Sequence, residues 1–424
     1  MSNPHIIRFT LKQHTPLIHF QSQQAYAGLR ATEVKPKFDR FILERLGAAN
    51  ILPTWIQGGK KKTNGAVPLR YKMIISNQYV KAKTIERDRK SAPPMFFGNM
   101  GDEYENQLKF LSWSFQDSQM TLTGVNCTIL LLNNDEMNGK TLKQIIEENL
   151  EIFFFLNNFG TRQSKGYGSF SCYSINENVV SNNYPSQYHF TVPDSNPIEA
   201  LNKINLFYRS IRSGIHDGRA DRDTREFTTT FYFKSLLFIY LNTFKNLKWE
   251  KRAIKEKLLN WHQSFQQQKD SWNSANQSFD ANKNNSNAVL ARDMLGLSSE
   301  QQWKSYGKKI SKEHIPMNEQ IKIDRFKSPI TFKPIKTNNG YDIHIILQQI
   351  PNAMYSTSFN ISNGRDHFQI NTPNSFQFSL PDFLRWIFNP INIDITKHVT
   401  TGANNNTHQT LIGIYSQLAK QIKP

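Results

Sequence analysis

Gly160-Thr161-Arg162-Gln163-Ser164-Lys165-Gly166-Tyr167-Gly168-Ser169-Phe170 is a glycine-rich loop with two cations inside it. An apolar run, Leu150 to Phe159, precedes it, and a strand-like run, Phe170 to Ile175, follows. Glycine reaches positive φ and lets a backbone approach a ligand closely. Exposed N–H groups in such a loop can cradle phosphate oxygens, with Arg162 and Lys165 as counter-charge. No Gly-Lys-Ser/Thr ends the loop, so it is not a Walker loop. It follows a helix and precedes a strand, the reverse of a dinucleotide fingerprint. A basic loop so placed points to a nucleic-acid backbone. The competing reading is a tight turn with solvated charges.

Working outward, His5 to Lys12 alternates as a strand, with Ile7, Phe9 and Leu11 on one face. Glu33 to Leu46 carries a helical apolar stripe of Val34, Phe38, Phe41, Ile42 and Leu46. Met120 to Leu132 is strand-rich, with Gly124 as a bulge signal, and Thr141 to Asn157 reads as a helix. Closed by the loop and the strand ending at Ile175, this order is that of a ferredoxin-like domain with insertions. Two of the insertions, Gln57–Ala66 and Lys81–Lys90, are basic.

The second half reads differently. Asn196–Arg212 and Arg225–Gln268 are predicted to be helical, with Phe231–Leu241 as their buried core. Gln263–Asn287, rich in Gln, Asn and Ser, is predicted to be a linker. Ile321–Ile335 and Tyr341–Ile350 are strand-like runs around Asn338-Asn339-Gly340, a hairpin signal. Shorter helices are expected at Ser379–Phe388 and Gln409–Ile422. The fold class is therefore α+β. Residues 1–180 form a ferredoxin-like (RRM-like) domain. Residues 181–424 form a second α+β half: a helical region (196–268), a polar linker (263–287) and a sheet-containing unit (288–424).

Among 424 residues, 52 Lys and Arg face 34 Asp and Glu, a formal charge of +18. A chain this basic is expected to bind a polyanion, with affinity that falls steeply with salt. No apolar run reaches the roughly 18 residues of a spanning helix. The first ten residues hold no signal core, so a cytoplasmic location away from membranes is expected. Cys127 and Cys172, the only cysteines, are expected to be reduced core residues. Two thiols alone cannot build a structural zinc site.

No HExxH, GxSxG or Cys-rich cluster is present. His5, His14 and His19 are the acid–base candidates for a metal-independent ribonuclease, but they follow no motif. Asp217, Asp221 and Asp223 could hold a metal, yet Arg219 and Arg222 interleave with them. No catalytic residue, metal or cofactor is expected. The cations are more informative: Arg30, Lys35, Lys37 and Arg40; Lys60, Lys61 and Lys62; Arg87, Arg89 and Lys90; Arg162 and Lys165; Arg325, Lys327 and Lys333. Gathered on separate loops beside glycines, they suggest a groove for a nucleic-acid strand. Tyr71, Tyr167 and Phe326 lie near them as base-stacking candidates. Phe38 also lies near, but it falls on the helix stripe and reads as core.

Gly160-x-Arg162-x-x-Lys165-Gly166-Tyr167-Gly168 resembles the C-terminal glycine signature of the RAMP proteins, ferredoxin-like RNA-binding subunits of CRISPR systems. Thr15-Pro16-Leu17, Leu29-Arg30-Ala31, Val34-Lys35 and Arg40-Phe41 are similar to the opening of subunit one of the Cmr complex, the type III-B RNA-targeting effector. Arg325-Phe326-Lys327-Ser328-Pro329-Ile330 resembles the Ser-Pro strand of that subunit's second half. The chain departs from the pattern at Asn158, Pro36 and Asp39, where Gly, Gly and a cation are common. The resemblance implies a non-catalytic subunit of a ribonucleoprotein for antiviral defence. It would hold guide RNA (crRNA) and target RNA near the guide 3′ end, beside other CRISPR effector subunits. The expected RNA contacts are Arg30, Lys35, Lys37, Arg40, Lys60, Lys61, Lys62, Gly160, Arg162, Lys165, Gly166, Tyr167, Gly168, Arg325 and Lys327. The alternatives are a guide-processing endoribonuclease of the same superfamily, a mainly protein-contacting structural subunit, and a general RNA-binding protein.

Overall fold

The computed structural model describes residues 3–19, 26–47, 50–57, 67–84, 110–181, 184, 186–220, 227–259, 288–303, 308–316 and 322–422. Lys60, Lys61, Lys62, Arg87, Arg89, Lys90, Asp221, Asp223, Arg222 and the 263–287 linker lie outside them.

In the first half, β1 (Ile6–Gln13) buries Ile7, Phe9 and Leu11 at alternate positions. Helix α1 (Ala31–Leu46) buries Val34, Phe38 and Ile42, one turn apart. Strands β2 (Tyr71–Ser76), β3 (Tyr79–Thr84), β4 (Phe110–Phe115) and β5 (Gly124–Leu131) follow. Helix α2 (Leu142–Leu156) opens on a capping box. Thr141 Oγ1 accepts from Gln144 N, and Gln144 Oε1 accepts from Thr141 N. Strand β6 (Phe170–Ile175) closes the unit. Central β1 pairs antiparallel with β5 on one side and β6 on the other, and β2 lies outside β5. Phe153 and Phe154 of α2 pack under this sheet with Phe38 and Phe9.

The second half contains β7 (Tyr188–Val192), α3 (Pro197–Arg212), β8 (Ile215–Ala220), β9 (Phe227–Phe233), α4 (Leu236–Ile239) and α5 (Glu250–Leu258). It continues with β10 (Lys308–Ile315), β11 (Ile330–Thr337), β12 (Gly340–Leu347), β13 (Ser358–Ser362) and β14 (His367–Asn371). Helix α6 (Leu380–Phe388), β15 (Val399–Thr401) and α7 (Asn406–Ala419) complete it. β12 lies between β7 and β11, antiparallel to both. α3 and α7 pack on this sheet. The pairing of β7, β12 and β11 therefore repeats that of β1, β5 and β2. A second sheet includes β14, β13 and β10 and has its own core around Phe359 and Ile361.

The predicted helix over Arg225–Gln268 is corrected. Residues 227–233 form β9, paired antiparallel with β8. Phe231 and Phe233 are buried on either side of half-buried Tyr232, a period of two inside a run that looked uniformly apolar. Among the described residues of this range, helix is confined to α4 with the wide turn after it, and to α5. The metal candidate Asp217 lies on strand β8, where it pairs with Arg209 at 3.1 Å.

The two halves meet along the outer edge of β11. Asn158 Nδ2 donates to Phe332 O at 2.8 Å, and Ser169 Oγ donates to Pro334 O at 2.7 Å. Lys336 N donates to His14 Nδ1 at 3.0 Å, and Tyr341 Oη donates to His14 O at 2.9 Å. These residues place the glycine loop at the joint.

Candidate nucleic-acid interface

The loop's glycines are demanded by packing inside the protein. A Cβ on Gly160 would stand 2.5 Å from Ile18 O, and one on Gly168 would stand 2.0 Å from Phe159 O. A Cβ on Gly166 would meet Ile204 and Pro334 at 2.9 Å, two residues of the second half. Most backbone donors of the loop are also spent internally. Gly160 N donates to Glu33 Oε1, Thr161 N to Ile18 O, Gly168 N to Pro16 O and Ser169 N to Thr15 Oγ1. Lys165 N and Gly166 N close the short turn over Gln163–Lys165. The expected phosphate cradle of glycine N–H groups is corrected at Gly160, Gly166 and Gly168.

Tyr167 is fully buried and belongs to the core of the second half. Burial raises the pKa of its phenol. It plugs the joint and is not a stacking platform. Lys165 places Nζ 2.7 Å from the centre of the Tyr208 ring on α3. Desolvation, then the charges of Arg212 and Arg162, hold its pKa well below that of an ordinary lysine. Lys333 is also fully buried. Its ammonium donates to Asn157 O at 2.9 Å, Asn158 Oδ1 at 3.2 Å and Phe170 O at 2.6 Å, tying β11 to the ends of α2 and the loop. Both ammonium groups are held inside the joint, Lys165 against Tyr208 and Lys333 by three acceptors. Asn158, where the family signature often has Gly, supplies one of those acceptors.

Lys35 and Tyr71 are also engaged within the protein. Lys35 Nζ donates to Asp39 Oδ2 at 2.6 Å and Leu69 O at 2.9 Å, and lies 4.2 Å from the Tyr71 ring. Tyr71 is buried and donates to Asp39 Oδ1 at 2.6 Å. Asp39 therefore anchors α1 to the segment before β2. Phe38 is core, as its stripe position predicts. Phe326 is half-buried against the second-half core.

What remains on the outside is a smaller group. Lys37 faces the loop: its Nζ donates to Gln163 Oε1 and to Glu33 Oε1, each at 3.2 Å. Arg40 is exposed one turn further along α1. Arg162 is half-buried at the start of the turn, with φ 63°, a left-handed conformation costly for a side-chain-bearing residue. Lys327 is exposed, and its pKa is lowered by desolvation and then by the charge of Lys37. Thus α1, the loop and the segment before β11 present cations to one region. Arg325 is exposed two residues from Lys327 on a two-residue strand, and Arg30 is half-buried at the N-cap of α1.

Sequence reasoning missed Arg212, which donates to Arg292 O and Gly296 O behind Lys165. Its position in the last turn of α3 was its only sequence signal. His14 is buried, with Nε2 2.7 Å from Ser171 Oγ and Nδ1 accepting from Lys336 N. Desolvation and then Lys333, Lys12 and Lys336 hold its pKa well below that of a free imidazole. Among the described residues no group of three or more His, Cys, Asp or Glu is placed to hold a metal, and no helix is long and apolar enough to cross a membrane.

The fold and this face define a basic α+β protein of two joined strand–helix–hairpin–helix units. Residues 4–215 match the model of the Cmr1 N-terminal domain, and residues 232–410 that of the Cmr1 C-terminal domain. The chain belongs to the Cmr1 family, subunits of type III-B CRISPR effectors. It matches no curated protein. One solved structure, "Cryo-EM structure of the Type III-B Cmr-beta bound to cognate target RNA and AMPPnP, state 2, in the presence of ssDNA", aligns over 99% of this chain and 100% of that chain. The identity is 9% and the TM-score 0.28, too low to carry weight.

Proposed function

We propose that this chain is a non-catalytic RNA-binding subunit of a type III-B effector. It holds guide and target RNA near the guide 3′ end, inside the cell, with other effector subunits as its neighbours. Its first half is read as a ferredoxin-like RAMP domain, because β2, β5, β1 and β6 stand in that order, all antiparallel, with α1 and α2 in the two crossovers. The observation that carries the reading is the convergence of Lys37, Arg162 and Lys327 from three separate elements on one face. Arg40 and Arg325 extend that face. Cations brought together from distant parts of the chain repel one another and favour a polyanion. His14, neutral and bonded on both ring nitrogens, supports this reading over a ribonuclease that would use it as base.

The test is single-stranded RNA binding by the full chain across a salt series. Replacing Arg162 and Lys327 with Ala should lower the log–log salt slope by up to about two, roughly one per lost phosphate contact. An unchanged slope removes this face from the interface. Metal-independent cleavage of the RNA would refute the non-catalytic reading.

A further inference from the structure

A second group of cations gathers at the start of α5, away from the glycine loop. Its framework is a pair of aromatic rings, Phe238 and Trp249, with centroids 5.2 Å apart. Lys234 Nζ lies 4.7 Å from the Phe238 ring centre. Lys251 Nζ and the Arg292 guanidinium lie 5.7 and 5.6 Å from the Trp249 ring centre. Lys255 follows Lys251 by four residues, so the two share one face of α5. Helix α5 opens at Trp249 without a side-chain cap. The one acid of its first turn, Glu250, is turned inward and receives Ala291 N at 3.1 Å and Arg292 Nε.

Several elements thus converge on one positive surface: the segment between β9 and α4 with Lys234, α5 with Lys251 and Lys255, and the turn at Arg292. Each charge is felt by the others. Desolvation, then Arg292, Lys255 and Lys234, bring the Lys251 pKa down to about 7, with Glu250 as the opposing charge. Desolvation and Lys255 bring Lys234 down to about 8. His216 on β8 is lowered by desolvation and by the same two α5 lysines, against Asp217. Like charges held together in a partly desolvated place cost folding energy that a bound anion returns.

We propose that Lys234, Lys251 and Lys255 form a second phosphate-binding site, which takes backbone phosphates of an RNA strand. The inference rests on the RNA-binding reading above and extends it to the second half. A polymer backbone is the fitting ligand, because the three half-buried lysines come from two elements and offer charge without a base platform. Trp249 is buried and offers no face for a base, so the contact reads no sequence.

The test uses the full chain, a labelled single-stranded RNA and inorganic triphosphate. Replacing Lys234 and Lys251 with Gln should weaken RNA binding roughly ten-fold at low salt and reduce the salt slope by about two. Lys251→Arg keeps the charge and should keep the affinity. Acetic anhydride labelling of Lys251 should be suppressed by RNA and far less by triphosphate. Wild-type RNA binding that the double variant leaves intact in affinity and slope overturns this site and spares the glycine-loop face. Equal losses in the Gln and Arg variants mark a structural role and also overturn it. A wild-type chain that binds no RNA refutes the RNA-binding reading as a whole. Protection by triphosphate and not by RNA assigns the site to free polyphosphate and overturns the RNA proposal.

Discussion

Lys165, Lys333 and Lys327 are one residue type used in two opposed ways. Lys333 spends its ammonium on three acceptors inside the joint, and Lys165 lies against Tyr208. Lys327 keeps its side chain on the surface. A basic count cannot tell these uses apart, because only burial decides whether an ammonium serves the fold or a ligand. The same holds for glycine. Gly168 is forced by both its φ of +62° and the nearness of Phe159 O, whereas Gly413 on α7 has open space around its missing Cβ. Gly168→Ala should destabilise by about 3 kcal/mol or more, from left-handed strain plus a backbone clash. Gly413→Ala should stabilise by about 1 kcal/mol through helix propensity. Urea unfolding of the two variants checks this. Equal shifts would mean that the loop backbone yields and the close approach is not required.

At the scale of elements, the sheet of β7, β12 and β11 has an uncommon treatment of its edges. An open edge strand is a template for aggregation and must be covered. On β11 the cover is Asn158, Ser169 and His14 of the first half. On β7 it is a pair of glutamines. Gln421 accepts from His189 N and donates to His189 O, and Gln417 accepts from Thr191 N. These amides stand where the first half has β6 beside β1. Lys333 locks the β11 side. Lys333→Met should cost about 3–5 kcal/mol, because buried acceptors lose a charged donor. Lys336→Met, exposed on the same strand, should fall within about 0.5 kcal/mol of wild type. Comparable losses at both positions would show that the lock carries no special weight.

Over the whole molecule, stability should depend on keeping several histidines neutral. Desolvation and then His189 and Lys333 bring His344 down to about 4. Desolvation is also the main cause that brings buried His398 to about 4, and His14 is lowered well below its usual value. A histidine whose folded pKa lies below its unfolded value of about 6.5 takes up protons preferentially when unfolded. Its stabilising effect is present above that value and is lost as pH falls toward 4. Each of His344 and His398 should contribute a loss of roughly 2 kcal/mol between pH 7 and pH 5. Denaturant midpoints at the two pH values test this. A flat profile would mean that the imidazoles are charged or solvated in the folded protein.

Much of the fold was legible because local periodicity reports local burial. The β1 alternation, the α1 stripe, the Thr141 start of α2 and the β11–β12 hairpin around Asn338 and Asn339 all depend on neighbours within a few residues. The family too was legible, from short contiguous strings such as Thr15-Pro16-Leu17 and Leu29-Arg30-Ala31. The division of labour within the glycine loop was not. That Lys165 and Tyr167 turn inward depends on α3 and β11, which are remote in sequence. The Lys234–Lys251–Lys255 surface was invisible for the same reason, because it arises only where Phe238 and Trp249 pack together. Charge, periodicity and motif are properties of the chain and can be read along it. The protein and solvent around each charge, and therefore its use, are set only when distant segments share one core.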